Sequence, residues 1–417
     1  MLAPMGGSPA LAEILGAGGA PADPVPSLVV AGQQPAVAGG PLYGLLKACH
    51  ALAEAERLTT AGEPHRALFW VASEDHDLGE AGSVALLRRD GALARIRCDL
   101  GGGRASLRFR PAAAWWEPTL AACRHHLGPG LGAAWLATQA PRSDEGMGAW
   151  TCRALSALLP GLLVVEGHRL RPLWTAQARA LTLGWPADDL WSVRRSVTMA
   201  GGADALGPLD TPPWFADLPA GRRALTPAEA LDLLDRDPAA LSPGAAIRPV
   251  LQQAALPCTA FIAGPGERAY HALIGPLYAV AGVPLPRLVP RVSATVLPGW
   301  WRRATERPLG PDPLADAIAE LAPGIARLRR HADPATAAAL AGATAALDRA
   351  ARARRRHRRL GQPARGALAA WERPRGRPQD RTLTLVQAVW QWGPGIAAEL
   401  RAACRDAIPG AEIRLPV

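Results

Sequence analysis

The chain has 417 residues, 49% apolar and 20% charged, which excludes a disordered chain and leaves room for two to three domains. Its net charge of +10 is concentrated: Trp301 to Asp380 holds 17 arginines against 8 acidic residues and the rest is close to neutral, so the basic total argues no nucleic-acid function for the whole chain. Six scattered cysteines (Cys49, Cys98, Cys123, Cys152, Cys258, Cys404) contain no CxxC pair, so neither a disulfide framework nor a thiolate zinc site is expected.

The first residues lack the charged start and apolar run of a secretory signal. The longest apolar stretches, such as Ala154 to Val165, are short and broken by proline. A cytoplasmic protein with no membrane span is the expectation. Ser27 to Ala31 is a short β-branched run, stopped by Gly32, and Pro41 then opens a helix to about Leu58 with Leu42, Leu45, Leu46, Cys49 and Leu52 on one face. His65 to Ser73, Leu162 to Val165 and Cys258 to Ala263 read as further buried strands, each followed by helical sequence, which predicts a mostly parallel α/β sheet.

Two regions interrupt that rhythm. Val84 to Arg110 reads as a hairpin around Arg89-Asp90-Gly91 with further strand-like pieces, and Ala187 to Ser242 is rich in Pro, Gly and Trp. The expected layout is a core over 1–310 with insertions near 84–150 and 187–245, a helical hairpin or coiled-coil arm over 311–379, and a C-terminal helix over 380–417 returning to the core. Within the arm, alanine-rich helix formers run to Leu360 with a break at His331 to Pro334, and a Pro/Gly/Arg linker follows from Trp371 to Asp380.

Ligands of open α/β sheets bind at the carboxyl ends of the strands, so the residues after each strand are the site candidates. After the first strand come Gly32, Gln33 and Gln34, then Gly39-Gly40 before Pro41, with Tyr43 and Lys47 in the helix. After the second come Glu74, Asp75, His76 and Asp77. After the fourth, Gly264 to Gly266 lead through Glu267 into a helix with Tyr270. Glycine turns entering helices, here Gly40, Gly264 and Gly266, offer backbone N–H groups to a phosphate or carboxylate, unless they serve only to turn the chain.

Lys47 is the only lysine, so a coding bias toward arginine spared one position, either by chance or because the site needs a compact ammonium group. His76 could take a proton, with a neighbouring carboxylate orienting it. Asp75 or Asp77 could instead hold Mg²⁺, or the run could be a solvated turn. In an extended chain Glu74 and His76 would share one face, Asp75 and Asp77 the other. Arg248 and Arg291 are suited to carboxylates, and Glu267 to an amino group.

The stretches VVAGQQPAVAGGPLYGLLKA, FWVASEDHDLGE, RPVLQQAALPCTAFIAGPGERAY and GVPLPRLVPRVSATVL, in this order, closely resemble the bacillithiol biosynthesis cysteine-adding enzymes, over roughly Ser27 to Leu297. RPQDRTLTLVQAVWQWG is a weaker echo near the C-terminus. The resemblance implies a Rossmann-like nucleotidyltransferase-type α/β core with connecting insertions and a coiled-coil arm, shortened here, that forms a homodimer. It implies addition of L-cysteine to the amino group of glucosaminyl malate, with ATP and Mg²⁺ activating the cysteine carboxylate and no resident metal. On that reading His76, Asp75, Glu74 and Lys47 are catalytic, Gly32, Gln33, Gln34, Gly40, Gly264 and Gly266 hold the nucleotide, and Asp77, Tyr43, Arg248, Glu267, Tyr270 and Arg291 hold substrate.

The sequence has no GxxxxGK[ST] loop, so phosphates are not held by a P-loop. Gly264-x-Gly266-x-x-Ala269 also fits a dinucleotide fingerprint, but after Glu267 no acidic residue occurs until Glu306, which disfavours an oxidoreductase. Two rival functions are a paralogue with changed or lost activity and a scaffold or nucleic-acid binder using Arg352 to Arg359, a run that reads better as a solvated helical face.

Overall fold

Alternate residues of the first strands are buried on opposite faces of one sheet. Val29, Ala31, Ala67, Phe69 and Val71 enter one hydrophobic core, and Leu28, Val30, Leu68 and Trp70 enter the other. Both faces are covered, which is why these strands read as unbroken apolar runs rather than alternating ones. The computed structural model describes Leu11 and residues 27–204, 206–299, 313–361 and 365–417. Twelve strands occur among them: β1 (Ser27–Gln33), β2 (His65–Val71), β3 (Ser83–Leu87), β4 (Leu93–Arg97), β5 (Leu163–Glu166), β6 (Trp214–Leu218), β7 (Gly221–Leu225), β8 (Leu241–Pro243), β9 (Cys258–Ala263), β10 (Arg287–Pro290), β11 (Ser293–Leu297) and β12 (Glu412–Pro416).

The central sheet has the order β10-β9-β1-β2-β5, and all its pairings are parallel. Successive strands step outward from β1 through β2 to β5, then return to the other side of β1 as β9 and β10. This is the Rossmann-like arrangement, with a topological switch point between the carboxyl ends of β1 and β9. The helix Leu42–Thr60 follows β1 and buries Leu42, Leu45, Leu46 and Cys49 against one sheet face.

The regions between the sheet strands build smaller units. β3 and β4 pair as an antiparallel hairpin, and β7-β6-β8 form an antiparallel sheet whose Trp214 is buried in the second core beside Trp174. The strand-like pieces expected up to Arg110 are instead a loop with a short 3-10 turn at Leu107–Phe109. Arg110 fixes that loop by donating to the Leu100, Gly102 and Ala105 carbonyls, which satisfies backbone groups a sheet would otherwise pair.

The expected boundary at 310/311 lies outside the described residues. Beyond it the helices Pro313–His331 and Pro334–Gly361 pack on each other. The side chains of Arg352 to Arg359 lie outside the described residues.

The single C-terminal helix expected over 380–417 is in fact two helices, Leu385–Trp392 and Ile396–Arg405, and the strand β12. Gly393, at φ +76°, and Pro394 end the first helix, because that φ and a missing N–H cannot continue one. β12 pairs in parallel with β11. Trp371 is fully buried and donates from Nε1 to the Val296 carbonyl at 3.0 Å. Gln387 bonds both backbone groups of Leu87, at 2.9 and 2.7 Å, so the C-terminal segment is stitched to the β3–β4 hairpin.

Gly132 marks the closest approach in this docking. Its N–H donates to the Trp390 carbonyl at 3.2 Å, and a Cβ there would collide with the Val389 carbonyl. Gly132→Ala is expected to destabilise the protein by about 1–3 kcal/mol, the usual cost of overpacking, read as a shift in the urea midpoint.

Candidate active site

At the switch point, a cavity of about 440 Å³ is bounded by Gly32 and Gln33 of β1, Lys47 of the following helix, Gly264 to Glu267 after β9, and Arg248. A second cavity of about 480 Å³ shares Gln33, Gln34, Tyr43 and Arg381 with it, so the two are neighbours across these side chains. Both volumes fall in the range of roughly 300–1,000 Å³ usual for small-molecule sites.

The floor of the switch-point cavity is a buried polar knot. Lys47 is 2% exposed, and its Nζ meets Glu267 Oε2 at 2.6 Å, the Gly32 carbonyl at 2.9 Å and Gln33 Oε1 at 3.3 Å. Burial lowers the Lys47 pKa from its ordinary value, opposed by the charge and hydrogen bond of Glu267. Three acceptors around one ammonium explain why arginine did not replace this lysine, since a planar guanidinium cannot donate from one atom in three directions. The side chain is therefore engaged by the protein, and a direct contact with a ligand would require displacing one of these partners.

Glu267 lies in the first turn of the helix Pro265–His271, and its Oε2 also accepts from the Gly264 N–H at 2.7 Å. The Gly264 N–H, expected to hold a phosphate, is thus capped by a carboxylate of its own helix. Glu267 Oε1 has no partner among the described residues, so one carboxylate oxygen in the cavity wall is left for a ligand. Gly266 lines the same cavity, with no described atom within 4 Å of where its Cβ would stand.

Gln33 Nε2 donates to the Tyr43 hydroxyl at 3.1 Å, which extends the Lys47 knot toward the second cavity. Burial raises the Tyr43 pKa to about 12, and burial also raises that of Tyr270, so both phenols are hydrogen-bond donors at neutral pH. Gly40 lines neither cavity. Its N–H closes a turn onto the Val37 carbonyl and its carbonyl accepts from Leu385 N, so it anchors the C-terminal segment rather than a nucleotide.

The run after β2 departs furthest from expectation. The chain turns immediately after Val71, so the alternation that put Glu74 and His76 on one face does not apply. Glu74 is 1% exposed, lines neither cavity, and accepts from Arg171 Nε at 2.9 Å, while Arg171 Nη2 meets Asp217 Oδ2 at 2.7 Å. This buried pair joins the sheet to the β6–β7 hairpin. Asp75 accepts from the N–H groups of His76 and Asp77 at 2.7 and 3.2 Å, and Asp77 accepts from Glu80 N at 3.0 Å. Burial raises the Asp75 pKa, but Arg248 and the two N–H groups outweigh it and hold the carboxylate below its usual range. Each aspartate thus accepts turn N–H groups through its Oδ1, Asp77 stays exposed, and neither lines either cavity.

His76 lines neither cavity. Its Nδ1 accepts from Arg222 Nη1 at 3.3 Å, and burial followed by the Arg222 charge lowers its pKa, so the imidazole is neutral at pH 7. Arg248 lines the switch-point cavity with its Nε 3.9 Å from Glu74 Oε2. Arg291 also lines it, but donates to Asp380 Oδ2 at 2.6 Å and to the Val292 carbonyl at 2.9 Å, which offsets much of the charge expected for a carboxylate.

Sequence reasoning missed Arg381, which borders both cavities, and Arg95, Arg375 and Arg377, which border the second. Arg381 stands inside RPQDRTLTLVQAVWQWG, so that C-terminal echo carried the signal.

The family model described as the N-terminal Rossmann-like domain of the bacillithiol biosynthesis protein BshC matches residues 22–124 and 218–292. Three proteins named "Putative cysteine ligase BshC" are each 30% identical to the chain. That of Koribacter versatilis aligns over 64% of this chain and 54% of its own length, that of Solibacter usitatus over 70% and 57%, and that of Thermus thermophilus over 67% and 59%. The chain thus spans a little over half the length of these relatives.

Proposed function

We propose, on the premise that the chain belongs to the BshC-like bacillithiol biosynthesis family, that it is a ligase joining the carboxyl group of L-cysteine to the amino group of glucosaminyl malate. The observation that carries the reading is the switch-point cavity with Glu267 in its wall, held by the buried Lys47. Glu267 Oε1 is the oxygen available to a substrate ammonium, and Oε2 is fixed by Lys47 and Gly264 N. The donor set is compatible with a nucleotide: Arg248 and Arg381 would meet its phosphates. ATP, when bound, would supply the leaving group that a cysteine carboxylate lacks.

The amine loses a proton as the C–N bond forms. His76 lies outside both cavities, so Glu267, which would already hold the ammonium, is the group assigned to accept it. Tyr43 and Tyr270 would donate to substrate oxygens. The remaining parts of the reading are a cytoplasmic setting and a homodimer through the helices Pro313–His331 and Pro334–Gly361, where Leu321 and Leu328 are exposed. Among the described residues no helix is long and apolar enough to cross a membrane.

The test is incubation of the purified chain with cysteine, glucosaminyl malate and ATP-Mg²⁺, with the product analysed by mass spectrometry. The expected result is the amide; a folded protein that forms none would overturn the ligase reading for these substrates.

A further inference from the structure

The second cavity holds a concentration of unpaired positive charge. Arg95 reaches it from β4, and Arg375, Arg377 and Arg381 from the chain that returns after the helical pair. None of the four makes a side-chain hydrogen bond or ion pair to a described residue, whereas Arg108, Arg153, Arg171, Arg222 and Arg291 all do. Among the described residues, the sole carboxylate lining the cavity is Glu80. Like charges gathered around one cavity repel, so the arrangement is more favourable with an anion inside than without.

The wall is also conformationally fixed. Arg375 has φ +50°, a left-handed conformation that costs a non-glycine residue energy, and Gly376 follows at φ +74°. About ten residues further along, Leu385 N donates to the Gly40 carbonyl and Gln387 bonds Leu87.

We propose that this cavity binds a compact dicarboxylate, with Arg95, Arg375 and Arg377 as the determinants that select it. Guanidinium groups match carboxylates two bonds at a time, and three of them suffice for two carboxylates. Under the ligase reading, on which the identity of the group rests, the dicarboxylate is the malyl part of the amine substrate. The two cavities adjoin across Gln33, Gln34, Tyr43 and Arg381, so a substrate lying across these residues would bring the sugar amine to Glu267 while the malyl group sits among the arginines. This assignment replaces Arg248 and Arg291, of which the second is engaged by Asp380.

The test is calorimetric titration of the full chain with L-malate, L-lactate and inorganic phosphate. Lactate shares the 2-hydroxy acid but lacks the second carboxylate. Malate is expected to bind at least about tenfold more tightly than lactate or phosphate, and Arg95→Ala and Arg377→Ala each to weaken malate by about tenfold, the scale of one charge-assisted contact. Arg377→Lys should recover part of the loss. Both arginines are exposed and unpaired, so melting temperatures should not change. Equal malate and lactate affinities, tighter phosphate binding, or malate binding indifferent to these substitutions would overturn the proposal. The titration needs no turnover, so selective malate binding by a protein that forms no amide would retain the dicarboxylate site while removing the ligase reading.

Discussion

Glu267→Gln is expected to lower stability by about 3–5 kcal/mol, because it strands the buried Lys47 ammonium without its counter-charge. Equilibrium urea unfolding reads this directly. The dependence on pH carries a definite sign. The folded-state pKa of Lys47 is already depressed by burial, so the folded protein binds fewer protons than the unfolded chain and stability rises with pH through this range. Without Glu267, which raises that pKa, the depression deepens. The deficit of the variant should therefore shrink as pH climbs from the variant's folded-state pKa to the higher folded-state pKa of the unaltered protein, both below the ordinary 10.5. A pH-independent deficit would mean that Glu267 acts mainly through its bond to Gly264.

Lys47 shows how far a sequence can speak for a site. Its solitude among the basic residues marked it, but its three acceptors are a tertiary fact, since Gly32, Gln33 and Glu267 meet only when β9 lies beside β1. The strands themselves were legible, because two buried faces demand unbroken apolar runs of the kind seen in Cys258–Ala263. β12 was not. It is a short strand that pairs in parallel with β11 across more than a hundred residues and has no hairpin turn to announce it.

The second large effect is expected at Arg171. Its guanidinium is fully buried and holds Glu74 and Asp217, with a third bond to the Ala239 carbonyl at 2.7 Å. Arg171→Met leaves two buried carboxylates side by side without a shared cation. A loss of at least about 3–5 kcal/mol follows from the cost of breaking one buried pair, and most of the marginal stability of a domain is of that size. Because Arg171 joins the central sheet to the β6–β7 hairpin, limited proteolysis should cut the hairpin region first. A variant of near-native stability would show that Arg108, which also meets Asp217 at 3.0 Å, carries the network.

This network also explains why the burial of Glu74 was not legible in the sequence. Four acidic or imidazole residues in a row after a strand resemble a catalytic run, yet Arg171 lies 97 residues from Glu74 and 46 from Asp217, beyond any local pattern. The cationic wall of the second cavity was hidden for the same reason. Arg95 and Arg377 lie far apart in the chain, and the charge count of the C-terminal third diluted Arg377 among the arginines of the helical pair.

The claim that the reaction occurs in the switch-point cavity is tested most directly at Gly266, which lines it and where an added Cβ would meet no packed neighbour within 4 Å. The measurement is the rate of amide formation by Gly266→Leu beside the unaltered chain, with thermal melting of both. A fall of about a hundredfold with unchanged melting is the expected result, in line with the cost of misplacing bound reactants. An unchanged rate in the narrowed cavity would contradict the account.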